Sequence, residues 1–169
     1  HLVDRRQALR TLIAGGVGWT MRPSLELFAK NPPRKVLFFS KSSGYEHSAI
    51  RRNGNGLSPA EMVLIELGKT HGFDVVATKD GSVFTRQNLK GFDAIFFYTT
   101  GDLTQSMGDK NPPMTIEGKV ALLEAIRSGK GFLGTHSATD TFHSPGPEFE
   151  TQPIERRDPY IQMIGGEFI

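Results

Sequence analysis

Four short runs of consecutive strand-favouring residues, at 35–40, 73–78, 93–98 and 130–135, alternate with segments of helical pattern. Runs that stay apolar on successive residues suit strands buried on both faces, and strands alternating with helices build a parallel sheet with helices on each side. The chain is therefore predicted to be an α/β protein with a mainly parallel sheet. Ser58-Pro59-Ala60-Glu61 opens the first helix, with Ser58 as N-cap, Pro59 at the first helical position and glutamate at the third. Met62, Leu64, Ile65 and Leu67 are expected on its buried face, and Gly72 closes it. A second helix is expected over 116–127, with Val120, Leu123 and Ile126 along one side.

At 169 residues the chain has room for one domain of ordinary size, and it contains no cysteine. Disulfides, thiolate metal sites and a cysteine nucleophile are thereby excluded. The formal charge is +2, and its distribution is uneven: residues 1–29 hold four basic and two acidic residues, and the remainder sixteen of each. A domain with no net charge offers no electrostatic footprint for nucleic acid. The basic stretch includes Arg5-Arg6, has Leu9 three residues later and leads into a mildly apolar run at 11–21. That run is too short to span a membrane, which takes about 20 apolar residues. It resembles a twin-arginine export signal, with Ala8 where phenylalanine is usual. On this reading residues 1–30 are a leader, Asn31-Pro32-Pro33 punctuates the junction, and a domain over 34–169 is periplasmic or otherwise exported. The alternative is an amphipathic N-terminal helix with two incidental arginines.

In open α/β sheets, ligands bind beyond the carboxyl ends of the strands, where strand order reverses. Three of the five histidines follow strands: His47 after the first, and His136 and His143 after the fourth. If the first and fourth strands flank the third, their ends lie about 10 Å apart, two strand spacings, and their loops can meet around one small molecule. Gly134-Thr135-His136-Ser137-Ala138 has the small-residue frame of a strand-to-helix nucleophile elbow, with histidine at its centre. Imidazole serves there as base, acid or metal ligand, or else His136 is a polar residue closing a strand. Glu46, His47 and Asp140 are of metal-binding types, although no helical H-x-x-x-H pair exists. Gly44 is expected to supply a left-handed turn or a close backbone approach. His71 is read as a cation complementing a helix end, and Arg156-Arg157-Asp158 as surface charge.

Gly44-Tyr45-Glu46-His47-Ser48, Thr100-Gly101-Asp102-Leu103, the run from Gly129 to Phe142 centred on Gly134-Thr135-His136-Ser137-Ala138, and Ile164-Gly165-Gly166-Glu167-Phe168 resemble, in this order, the ThuA-like (trehalose utilisation) family. The resemblance implies a flavodoxin-like three-layer sandwich of the class I glutamine amidotransferase-like group, continuing past the point where this chain stops. It implies a role in carbohydrate metabolism, on keto-sugars or glycosides related to trehalose, with hydrolase, lyase or isomerase chemistry. The related amidotransferases use cysteine at the elbow, so glutaminase activity is disfavoured. The expected catalytic residues are His136, His47 and Asp140, with Gly44, Tyr45, Glu46, Thr100, Asp102, Ser137 and His143 binding substrate. His47 and His136 are alternatively ligands of a divalent metal such as zinc. The partner is a small-molecule carbohydrate, and a homo-oligomer is left open. The competing reading is a non-catalytic carbohydrate- or partner-binding module of the same fold.

Overall fold

The computed structural model describes residues 32–106, 109–147 and 150–169. The leader reading of residues 1–30 falls outside them. The strands are β1 (Arg34–Phe39), β2 (Ser42–Ser43), β3 (Phe73–Thr78), β4 (Ala94–Phe97), β5 (Thr100–Gly101) and β6 (Gly131–Gly134). The helices are α1 (Pro59–His71), α2 (Arg86–Leu89), α3 (Ile116–Arg127) and α4 (Pro159–Ile164), with short 3-10 turns between them. The expected third and fourth strands are present, each one residue shorter at both ends.

β3, β1, β4 and β6 lie side by side in that order, all parallel. The chain leaves β1 for the outer strand, then crosses back to β4, so the order reverses between β1 and β4. Phe39 pairs with both Thr78 and Phe97, and Phe97 pairs with Gly134, which brings the four carboxyl ends level. Beyond the ends of β1 and β4, β2 and β5 form a small parallel ladder of their own, Ser42 opposite Thr100 and Ser43 opposite Gly101. This is the flavodoxin-type arrangement, with its switch point under the loops that carry the candidate residues.

Leu37, Phe39, Ile95 and Phe97 face Phe84, Leu89, Leu122 and Tyr160, so α2, α3 and α4 cover one side of the sheet. The opposite side, carrying Val75, receives α1. Its capping box forms as expected, Glu61 N–H donating to Ser58 Oγ and Ser58 N–H to Glu61 Oε2, and Gly72 closes it in the left-handed conformation. The buried face differs from the expected one: Glu61, Leu64 and Gly68 are buried, whereas Met62 and Leu67 are exposed. The reason is close approach. A Cβ on Gly68 would lie 2.5 Å from the Phe73 carbonyl oxygen, so the helix rests on β3 along a narrow seam and its other apolar residues stay outside. On α3 the buried positions are Gly118, Ala121 and Leu122, with Leu123 and Ile126 half-buried and Val120 exposed. Here too glycine and alanine, which the apolar periodicity passed over, set the contact face.

The helix α4 was not expected. Asp158 caps its N-terminus, Pro159 sits at the first position and Gly165 closes it at φ 81°. Asp158 also pairs with Lys119, so the residue read as surface charge fastens α4 to α3. Among the described residues no helix is long and apolar enough to cross a membrane.

Candidate active site

The sharpest local feature is His136. It has φ 53°, a left-handed conformation that costs a residue with a Cβ about 1–2 kcal/mol. The strand β6 ends at Gly134, and the chain turns at once into a 3-10 helix over His136–Thr139. A Cβ on Gly134 would come 2.9 Å from the Ala138 Cβ, so the small residues framing His136 are what let the turn close. The expected elbow is therefore formed, and His136 is held exposed at its apex. Tyr160 supports it from below: its hydroxyl donates to the Ala138 carbonyl at 2.9 Å, and burial pushes the phenol well above its ordinary range. Strained residues of this kind persist where the surroundings over-determine them, and they concentrate at functional sites.

The loop after β1 brings His47 to the same place. The His47 and His136 ring centroids are 4.3 Å apart, with the rings at 65°. Tyr45 meets His47 edge-on at 4.9 Å, and Tyr98, immediately after β4, stacks on His136 at 5.3 Å and 21°. Two imidazoles thus sit between two phenols directly above the switch point. Tyr98 did not figure among the expected site residues, because the sequence reading placed it inside the third strand, whereas the observed strand ends at Phe97.

Glu46 does not face this cluster freely. Its carboxylate takes Lys79 at 2.8 Å and Arg51 at 3.2 Å, and Arg51 also donates to the Glu46 carbonyl. These bonds fix the backbone on which His47 rides. Gly44 departs from expectation, since its backbone is outside the left-handed region and an added Cβ would meet nothing within 4 Å. The constrained glycine is Gly101, at φ 74° and with a would-be Cβ 2.4 Å from the Ser43 carbonyl oxygen, which is where the β2–β5 ladder demands close approach.

Thr100 and Ser137 join the second and third loops through their hydroxyls at 3.3 Å, and a buried Thr99–Thr141 hydroxyl pair at 2.8 Å does the same. Asp102 is committed within its own turn: Oδ1 accepts from the Thr104 N–H and hydroxyl, and Oδ2 from the Gln105 amide. Burial alone would raise this carboxyl, but those donors outweigh it and hold it below the usual carboxylate range. Asp140 lies at the far end of the elbow turn and its carboxylate accepts from His143 Nε2 at 2.6 Å, so its histidine partner is His143. His143 Nδ1 lies 3.6 Å from Glu167.

Among the described residues no group of three or more histidine or carboxylate side chains is disposed to hold a metal ion. His47 and His136 offer two imidazoles, while the adjacent Glu46 carboxylate is taken by Lys79 and Arg51. Zinc sites use at least three protein ligands. The described residues do not fit that ion. What the cluster supplies is a pair of imidazoles, a side chain that serves as general acid or general base.

The model of the ThuA family, described as trehalose utilisation, matches residues 35–168. No curated protein and no solved structure matches the chain.

Proposed function

The chain belongs to the ThuA (trehalose utilisation) family, and on that premise we propose that it converts a keto-sugar or glycoside related to trehalose, with His136 and His47 as its acid/base pair. The observation that carries this reading is the strained elbow that holds the His136 ring 4.3 Å from that of His47 at the switch point of the sheet. A ketone on a sugar ring acidifies the neighbouring C–H bond. Removing that proton asks for a base, and the carbonyl or leaving oxygen then asks for an acid. Two imidazoles reached from two different strands meet both demands. Tyr45, two-thirds exposed beside His47, offers an aromatic face to the apolar side of a pyranose ring.

The test is turnover of a keto-glycoside by the purified domain, followed by NMR of the sugar. Consumption of the keto-glycoside with the parent glycoside untouched supports the assignment. Saturable binding without conversion would make the domain a carbohydrate-binding module instead. Export rests on Arg5-Arg6 and the weak apolar run behind them. A reporter fused after residue 30 should reach the periplasm of a bacterial host and should stop doing so when both arginines become lysine; unchanged export in that variant would contradict a twin-arginine signal.

A further inference from the structure

Tyr98 meets both imidazoles of the site. Its ring centroid lies 5.3 Å from that of His136, with the planes 21° apart, and 6.1 Å from that of His47, at 45°. With the 4.3 Å between the two imidazoles, the three rings close a triangle. The sheet explains why they meet. Tyr98 is the first residue beyond β4, the strand that lies between β1 and β6. Its N–H carries the ladder with β1 one step further by donating to the Phe39 carbonyl at 3.0 Å. The Thr135 N–H does the same between β6 and β4, donating to the Phe97 carbonyl at 3.0 Å. The next residue, Thr99, is fully buried and bonded to Thr141 through its hydroxyl. Tyr98 is therefore anchored on an interior strand, whereas His47 arrives on a loop and His136 on a turn.

The elbow commits the backbone of His136 and leaves its side chain to be fixed by other means. Gly134, Ala138 and the Tyr160 hydroxyl close the turn at φ 53°, but the imidazole projects from an exposed position, where a side chain samples several rotamers. Among the described residues neither His136 nor His47 is held by a side-chain hydrogen bond, in contrast to His143, which Asp140 holds at 2.6 Å. Proton transfer requires a ring nitrogen within hydrogen-bond reach of the proton it handles. A misplacement of about 1 Å costs about 10²-fold in rate. The near-parallel phenol supplies the missing restraint. Offset stacking confines the imidazole through its face and leaves both nitrogens, which lie on the ring edge, available to a ligand.

We propose that Tyr98 is a positioning residue, whose ring face orients the His136 imidazole against His47. The proposal rests on the acid/base reading of the two histidines and adds the group that aligns them. Its test compares Tyr98→Leu, which removes the ring, with Tyr98→Phe, which keeps it. Both are followed by steady-state kinetics on a keto-glycoside and by NMR of the histidine rings without substrate. Tyr98→Leu should lower kcat by about 10²-fold and change KM by less than about twofold, and Tyr98→Phe should recover most of that loss. In the substrate-free protein the His136 ring protons should move in Tyr98→Leu and hold their wild-type positions in Tyr98→Phe, while those of His71 at the end of α1 stay still in both. The ring-to-ring cross-peak between His47 and His136 should be lost in the leucine variant alone. A leucine variant as fast as wild type, or one whose loss falls on KM alone, overturns the positioning role. A phenylalanine variant as slow as the leucine one, or one that does not fold, overturns it too, since the ring would then not be what matters. Should wild type convert no keto-glycoside, the acid/base reading fails separately; the NMR arm still decides the orientation, and a His136 ring unmoved in Tyr98→Leu contradicts it.

Discussion

Replacing His136 by alanine is expected to lower keto-glycoside turnover by about 10³-fold, the loss typical of removing a positioned acid or base. The fold should survive. The imidazole is exposed at the apex of its turn, and the turn is closed by Gly134, Ala138 and the Tyr160 hydroxyl, none of which needs the ring. The backbone adds an independent signature. At φ 53° glycine is unstrained where alanine and histidine are not, so His136→Gly should be as inactive as His136→Ala yet more stable than it by about 1 kcal/mol. Initial rates and urea melts on the three proteins give both numbers. Undiminished turnover in the alanine variant would remove His136 from the chemistry; a glycine variant no more stable than the alanine one would remove strain from the account of the elbow.

The largest stability effect is expected at Glu61. This carboxylate is fully buried, accepts three hydrogen bonds from the Arg52 guanidinium, and ties in the Ser40 hydroxyl at the end of β1 and the Ser58 N–H at the start of α1. One side chain thus locks the first strand, the helix after it and the loop carrying His47 between them. Glu61→Ala deletes the capping box and strands Arg52, at a cost of about 3 kcal/mol, the lower end for breaking a buried pair because Arg52 is 30% exposed. Against a domain stability of about 5–15 kcal/mol this is severe. Burial alone would raise the carboxyl, but Arg52, the Ser58 N–H and Ser40 together hold it below its ordinary value. A carboxyl depressed in the native state stabilises fully above its unfolded value, about 4.3, and the contribution is lost as pH falls through the lower native value. The stability gap between wild type and Glu61→Gln should therefore be widest near neutral pH and narrow below about pH 4. A gap that stays constant down to pH 3 in denaturant melts would show that the charge of Glu61 contributes nothing.

Most of the sheet was legible because its strands are runs of apolar residues too short for helices, and the capping box around Ser58 and Glu61 fixed the start of α1 to the residue. The convergence of His47 and His136 was legible for a topological reason, since they follow the two strands, β1 and β6, that flank β4, and loops at the same end of a parallel sheet meet above its switch point. Helix faces were less so. Apolar periodicity named Met62, Leu67 and Val120, which are exposed, because the true contact faces are set by Gly68, Gly118 and Ala121. Periodicity measures what a helix would like to bury, and close backbone approach decides what it can. The same blind spot placed the constrained glycine at Gly44 when the φ of 74° and the crowding both lie at Gly101, across the β2–β5 ladder. Glu46 and Asp102 show a third limit: a carboxylate in a loop reads as a ligand group, while its partners Lys79, Arg51, Thr104 and Gln105 are visible only in three dimensions.

The central claim, that a sugar binds where the loops after β1, β4 and β6 meet, is tested most directly by following the five histidines of the ¹⁵N-labelled protein by NMR while a keto-glycoside or trehalose is added. The ring resonances of His47 and His136 should shift together and saturate with the same affinity, while His71 at the end of α1 stays still. Saturable binding that leaves His47 and His136 unmoved would place the sugar elsewhere and contradict the account.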